Sequence, residues 1–353
     1  MNNYINDLIS ISRYAGQRFD LVQAGGGNSS VKLDNGKMLI KASGFHLSDV
    51  SIDSGYSIVN NDKVYEILNN KIIKLSDKKA REIESKKLID KATISDNFRP
   101  SIETLLHAIL KKYTLHTHAI ALNIILSSKT WKTELEKIFQ LDYCTVKYET
   151  PGIDLAIELK KSIKKLGFTP NIIFLQNHGL IVTSDKLGDI FDINELVLSK
   201  VEKHLKLDFE HFRNTNHIYK LLSKEFGYTD SVFHSNDIIV HNFLNEYNNL
   251  ITPFNPDTQV YCGYEIIILE SINDFQSIKL YLENYNELPK IFILEDKMYI
   301  RSKNFKKFKE IEDVLKSHLI VSMYSEVDNI NKLDRNELDY LSSWEAEKYR
   351  QNL

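Results

Sequence analysis

Residues 111–122, KKYTLHTHAIAL, place His116 and His118 two positions apart in a stretch where apolar and polar side chains alternate. A period of two predicts a β-strand, with Thr114, His116 and His118 on one face and Tyr113, Leu115 and Thr117 on the other. Same-face neighbours on a strand stand about 6–7 Å apart, close enough for both rings to lean onto one ion. Further along, residues 172–182, IIFLQNHGLIV, read as two apolar strands broken by Asn177, His178 and Gly179. Gly179 is expected to let the backbone turn tightly, so that His178 points back over the sheet. Catalytic zinc commonly has three protein ligands and one open position, and His116, His118 and His178 supply three imidazoles. Taken alone, a His-x-His pair in a strand is more often a packed or solvated feature than a metal site, and the chain has 11 histidines from which to draw a third.

The segment leading into this strand, RPSIETLLHAILKK (99–112), spaces Ile102, Leu105, Leu106, Ile109 and Leu110 as one buried helix stripe. Ser101 suits its N-cap. Glu103 opens the helix, and a short connection brings its carboxylate toward the same ion as a general base or a displaceable ligand. As a lone residue it would be a solvated first-turn carboxylate favoured by the helix dipole. The AGGGNSS (24–30) and KASG (41–44) segments present backbone N–H groups and short hydroxyl or amide side chains, at Asn28, Ser29, Ser43 and Gly44, a composition suited to an anion. Neither is a dinucleotide or Walker loop: no Gly-x-Gly-x-x-Gly opens a helix and no Gly-Lys-Ser/Thr occurs.

Around this centre the pattern reads as α/β. Ile5, Leu8 and Ile9 lie on one helix face in INDLISISRYAGQRF (5–19), with Ser12 interrupting the stripe. KVYEILNNKIIKL (63–75) predicts a hairpin turning at Asn69 and Asn70, and SDKKAREIESKKLIDKA (76–92) a charged, solvated helix. Helices are also expected in 148–166, from about 185 onward, and near NDIIVHNFLNEY (236–247). ITPFNPDTQ (251–259), with two prolines, reads as a linker. Beyond it a small second α/β unit is expected, with a hairpin at Glu295 and Asp296 and helices near 304–320 and 335–350. This divides the chain into domains 1–250 and 251–353.

The bulk numbers exclude some classes. At 353 residues, 42% hydrophobic and 26% charged, the chain is an ordinary globular sequence with room for two domains. Forty-five basic against 48 acidic residues leave a net charge of -3, with no global pull toward nucleic acid or an anionic membrane. Two cysteines in unrelated contexts argue against a disulfide framework, and no apolar run reaches membrane-spanning length. A cytoplasmic protein is expected.

In order, GGGNSSVK (25–32), KASG, PSIETLLH (100–107), LHTHA (115–119), YETPG (148–152) and QNHGLI (176–181) resemble the class II aldolase/adducin family over roughly residues 1–225. The resemblance implies a three-layer α/β/α domain with a central, mainly antiparallel sheet, followed by the smaller C-terminal α/β unit. It implies that His116, His118 and His178 bind one Zn2+ per chain and that Glu103 moves the proton beside the substrate carbonyl. Asn28, Ser29, Ser43, Gly44 and Ser101 would hold a substrate phosphate. Tyr148 matches the tyrosine that donates a proton from a neighbouring subunit, and a homo-oligomer, a tetramer by resemblance, is implied. Ile102 stands where phosphate-binding members carry a second serine, which leaves phosphorylated and unphosphorylated sugars both open. The implied activity is reversible aldol cleavage of a ketose or ketose phosphate through a metal-stabilised enediolate. Epimerisation, dehydration or decarboxylation on the same centre are alternatives, and an adducin-like scaffold is the non-catalytic one. The tail ELDYLSSWEAEKYRQN (337–352) resembles the end of the aldolase portion in aldolase/short-chain dehydrogenase fusions; Trp344 and Tyr349 are expected to pack a terminal amphipathic helix.

Overall fold

The structure is a computed structural model, and it describes residues 1–71, 73, 77–95, 97–246, 252–326 and 329–343. The chain divides into two compact units, residues 1–209 and 210–353.

The first unit runs α1 (Asn2–Gly16), β1 (Asn28–Lys32), β2 (Lys37–Lys41), β3 (Tyr56–Asn60), α2 (Asn61–Ile67), α3 (Lys78–Ala92), α4 (Thr104–Ala108), β4 (Tyr113–Thr117), α5 (Ile120–Leu126), α6 (Trp131–Ile138), β5 (Tyr143–Val146), α7 (Ile153–Leu166), β6 (Ile172–Leu175), β7 (Gly179–Ser184) and α8 (Leu187–Leu205). Seven strands form one sheet in the order β3-β2-β1-β4-β7-β6-β5. Every neighbouring pair is antiparallel except β5 with β6. Helices cover both faces, because strand alternation sends apolar side chains both ways. Leu115, Leu180 and Val182 join a core with Leu8, Leu122 and Val197 from α1, α5 and α8. Ile173 and Ile181 join another with Leu105, Leu106 and Leu159 from α4 and α7. Each such side chain contributes roughly 1.5–3 kcal/mol by leaving water, so β4 and β7, buried at every position, anchor the sheet. This is the three-layer α/β/α arrangement with a mainly antiparallel sheet that the sequence implies.

Ser12, which breaks the α1 stripe in sequence, is nevertheless fully buried. Its hydroxyl lies 2.6 Å from the Leu8 carbonyl and 2.6 Å from the Ser29 hydroxyl, so burial leaves nothing unpaired.

Three local expectations are corrected. Residues 61–67 form α2 rather than the first arm of a hairpin. Asn60 caps it by accepting from the Lys63 N–H at 3.0 Å, and Val64, Ile67 and Leu68 bury at helical spacing. The expected helix over 102–110 shortens to α4. Glu103, not Ser101, occupies its N-cap, and Ile102 stays half exposed while the buried stripe begins at Leu105. Pro100 is held by a bridge to Ala42, so the helix starts only after a tight turn at Ser101–Glu103.

The second unit comprises α9 (Glu210–Phe226), β8 (Ser231–His234), α10 (Ile238–Glu246), α11 (Pro256–Cys262), β9 (Ile267–Leu269), α12 (Phe275–Tyr285), β10 (Ile291–Leu294), β11 (Lys297–Ser302), α13 (Phe305–Tyr324) and α14 (Arg335–Ser343). Its sheet has the order β8-β11-β10-β9, with cores on both faces. The expected boundary at 250/251 moves to 209/210, because β8 pairs with β11 and carries the segment after 210 into this sheet. For the same reason 251–259 is no linker where it is described. Asn255 caps α11 by accepting from the Thr258 N–H at 2.8 Å, and Pro256 takes the first helical position, which needs no N–H. The hairpin at Glu295 and Asp296 forms as expected, with Glu295 at φ 57°. Trp344 and Tyr349 lie outside the described residues. Among the described residues no helix is long and apolar enough to cross a membrane.

Candidate active site

β4 lies in the middle of the seven-stranded sheet, with Asn28 of β1 opposite His116 on one side and Ile181 of β7 opposite it on the other. This register decides what surrounds the imidazole. The His116 Nδ1–H donates to the Leu180 carbonyl at 2.9 Å, which leaves Nε2 as a bare lone pair. His118 sits one residue beyond β4, its backbone N–H donating to the Leu21 carbonyl at 2.9 Å. The glycine loop before β1 packs against its ring: a Cβ on Gly26 would come within 2.8 Å of His118 Nδ1. His178 sits in the β6–β7 turn. There Asn177, at φ 52°, takes the left-handed conformation that was expected of the glycine. Gly179 is required for another reason: a Cβ there would strike the Thr117 carbonyl oxygen at 2.1 Å, so only glycine lets β7 close on β4.

The three rings converge. His116 Nε2 lies 3.3 Å from His178 Nε2 and 3.2 Å from His118 Nε2, and all three ligand atoms fall within 4.8 Å of one another. Burial pushes His116 down to about 3 and lowers His118, against the pull of Glu103, so both are neutral near pH 7. Ring nitrogens aimed at a common point repel through their lone pairs unless a proton or a cation lies between them. Nitrogens bound tetrahedrally at about 2.0–2.1 Å stand about 3.3–3.4 Å apart, and the distances from His116 match that spacing. The donor set fits a divalent metal ion.

Glu103 completes the cluster. Its Oε1 lies 3.2 Å from His178 Nε2 and its Oε2 3.6 Å from His116 Nε2. Burial alone would raise its pKa, but His116, then His178 and His107, outweigh that and hold the carboxyl below its ordinary range. The Asn28 amide donates to Oε2, while Oε1 faces the His178 ring. The Glu103 backbone N–H donates to the Ser101 hydroxyl at 3.2 Å, which ties the turn to the carboxylate it presents.

The remaining expected site residues divide. Asn28 reaches the centre, where it holds Glu103. Ser29 does not: it faces the other side of the sheet with its hydroxyl on Ser12, because successive strand residues alternate. Ser43 and Ser101 line a cavity of about 330 Å³ together with Arg99, Ile102, Gly152 and residues of α3, a helix in which the sequence showed no chemistry. Gly44 adjoins it, exposed, at φ 84°. Tyr148 is 53% exposed on the loop after β5, where its backbone N–H donates to the Gln176 side chain at 3.2 Å. Two supporting residues escaped sequence reading. Asn123 of α5 donates to the His178 carbonyl at 3.2 Å. The His107 ring, fully buried and pushed down to about 4 by that burial, pairs with the Ser30 hydroxyl at 2.7 Å. Each is an ordinary polar residue in an apolar run, and only its contact across the fold marks it.

Comparison with known proteins places this site in a context. No protein of curated function matches the sequence. Among solved structures, the N-terminal class II aldolase domain of a conserved protein from Thermoplasma acidophilum is 27% identical, covering 57% of this chain and 93% of that one, with a TM-score of 0.48. A sugar-phosphate aldolase from Thermotoga maritima is 16% identical, covering 58% and 95%, with a TM-score of 0.43. An L-fuculose-1-phosphate aldolase from Thermus thermophilus is 13% identical, covering 57% and 94%, with a TM-score of 0.37. The family model described as Class II Aldolase and Adducin N-terminal domain matches residues 6–201, a span that contains the whole imidazole–carboxylate cluster, and the chain belongs to that family.

Proposed function

We propose that this protein is a metal-dependent carbon–carbon lyase that reversibly cleaves the C3–C4 bond of a ketose or ketose phosphate. The observation that carries the reading is the convergence of three imidazole nitrogens beside one buried carboxylate. A divalent cation held by His116, His118 and His178, Zn2+ by the all-nitrogen donor set, supplies Lewis-acid stabilisation of developing oxyanion charge, worth several kcal/mol. The chain's own residues do the rest. Asn28 pins one Glu103 oxygen and leaves Oε1 to take and return the proton at the carbon beside the substrate carbonyl. Burial of Glu103 and His116 keeps that exchange away from bulk water. Ser43, Gly44 and Ser101 are proposed to hold the far end of the substrate, and Tyr148 to donate a proton in the site of a neighbouring copy within a homo-oligomer.

The test is metal analysis followed by a screen of sugar phosphates and unphosphorylated ketoses on the metal-loaded protein, with Glu103→Gln as control. About one zinc per chain and cleavage of one ketose class support the reading. Glu103→Gln should retain the metal and lose substrate C–H exchange by roughly 10²–10⁴-fold. Full exchange in that variant refutes the role of Glu103, and absence of bound metal points instead to an adducin-like scaffold. Epimerase, dehydratase and decarboxylase products are scored in the same screen, since each uses the same proton step.

A further inference from the structure

His234 ends β8 in the second unit and is 9% exposed. Its Nδ1 faces the Asn236 amide oxygen at 2.9 Å, so the ring hydrogen sits there and Nε2 carries a lone pair. That Nε2 is closed off from solvent and meets no hydrogen-bond partner, in a ring packed among His211, Phe212 and Tyr299. A buried acceptor left unmet is costly, and so asks what it is there to meet.

His116 of the first unit is arranged in the same way. It too is buried, with Nδ1 spent on a carbonyl and Nε2 turned toward other imidazoles. Burial pushes both rings down to about 3, so each offers a lone pair near pH 7. A carbonyl that fixes the far ring nitrogen is also what orients an imidazole toward a metal. His234 has a neighbouring imidazole as well. His211, in the first turn of α9, lies with its ring centroid 5.0 Å away and its plane tilted by 56°, against 5.0 Å and 53° for His118 and His178. Both rings line a cavity of about 260 Å³, together with His241 and with Asp296 and Lys297 of the β10–β11 hairpin. Lys297 donates to Asp296 at 2.7 Å, which offsets its charge there. The size of the missing partner can be argued. A metal ion bonds imidazole nitrogen at about 2.0–2.1 Å, whereas a hydrogen-bonded oxygen stays about 2.7–3.2 Å away. An ion therefore suits a nitrogen that solvent does not reach.

We propose that His211 and His234 form a second metal site, in the second unit, for a divalent cation of the Zn2+ class. Among the described residues no third His, Cys, Asp or Glu atom shares a 4.8 Å cluster with this pair, so water from the cavity completes the coordination. His211 belongs to the helix that opens the unit and His234 to an edge strand of its sheet, so the ion clips α9 to β8. With two protein ligands it binds more weakly than the three-imidazole centre and fills only beyond one equivalent of metal. The site is independent of the lyase reading.

The experiment titrates Zn2+ calorimetrically into metal-free, full-length wild type, His178→Ala, His234→Gln and His211→Gln, with circular dichroism to verify each fold. Wild type is expected to take up one equivalent tightly and a second more weakly. His234→Gln should weaken the second step by about tenfold or more while the tight step stays within about threefold. His211→Gln should do the same, and it carries the test alone should His234→Gln fail to fold. His178→Ala should lose the tight step and keep the weaker one. A wild type that takes up one equivalent only overturns the proposal. So does a weaker step that survives in the folded His211 and His234 variants, which is adventitious binding by other histidines. A step that depends on His234 in a wild type without the tight one sustains the proposal and removes the metal reading of the first unit; the converse result does the opposite.

Discussion

Acid should destabilise the metal-free first unit through His116, and the size of the effect follows from its burial. His116 is fully buried and pushed down to about 3, against 6.5 for an exposed imidazole. In the window between those values the unfolded chain takes up a proton that the folded one refuses. Stability contributed by the neutral ring is therefore complete above pH 6.5 and is lost as pH falls. The slope approaches 1.36 kcal/mol per pH unit for one proton, or roughly 2–3 kcal/mol between pH 6.5 and 4.5, a large part of an ordinary folding free energy of about 5–15 kcal/mol. Glu103 is silent in this window, because its depressed pKa costs stability only below its ordinary value of 4.5. His107 and His118 shift in the same direction and add to the total, so the informative quantity is a difference. Urea melts of metal-free protein at pH 4.5 to 7.5, in a Trp344→Phe background so that buried Trp131 reports the first unit, give the slope. His116→Gln should flatten it by about one proton's worth, whatever the variant's absolute stability. Identical slopes for the two proteins would refute the claim that a neutral, desolvated imidazole occupies the centre.

Other outcomes are equally specific. Gly179→Ala forces a methyl against the Thr117 carbonyl, so urea denaturation should show a loss at or above the upper end of about 1–3 kcal/mol, with zinc affinity falling as His178 is displaced. Chelation should lower the melting temperature and one equivalent of zinc restore it, in calorimetry at fixed pH; His178→Ala should abolish the restoration. If Tyr148 serves a neighbouring copy, subunit exchange between inactive Glu103→Gln and Tyr148→Phe proteins should restore about one quarter of wild-type turnover by random pairing.

Part of this protein was legible along the chain because it is local. The alternation through residues 113–118 determined a strand and set Thr114 and His116 on one face, since side-chain direction in a strand depends only on parity. The apolar runs around His178 determined the two strands that flank it, and the ordered motifs determined the family. What the tertiary structure decided depends on register between segments far apart in sequence. Pairing of β1, β4 and β7 brings Asn28 to Glu103 and three imidazoles to one point, whereas one residue's difference in parity turns Ser29 away to Ser12. The same holds for Gly179, whose necessity lies in the Thr117 oxygen across the sheet. The boundary at 209/210 follows from β8 pairing with β11, a contact that no composition shift announces. Periodicity shows which way a side chain points; what it meets there is settled by long-range packing.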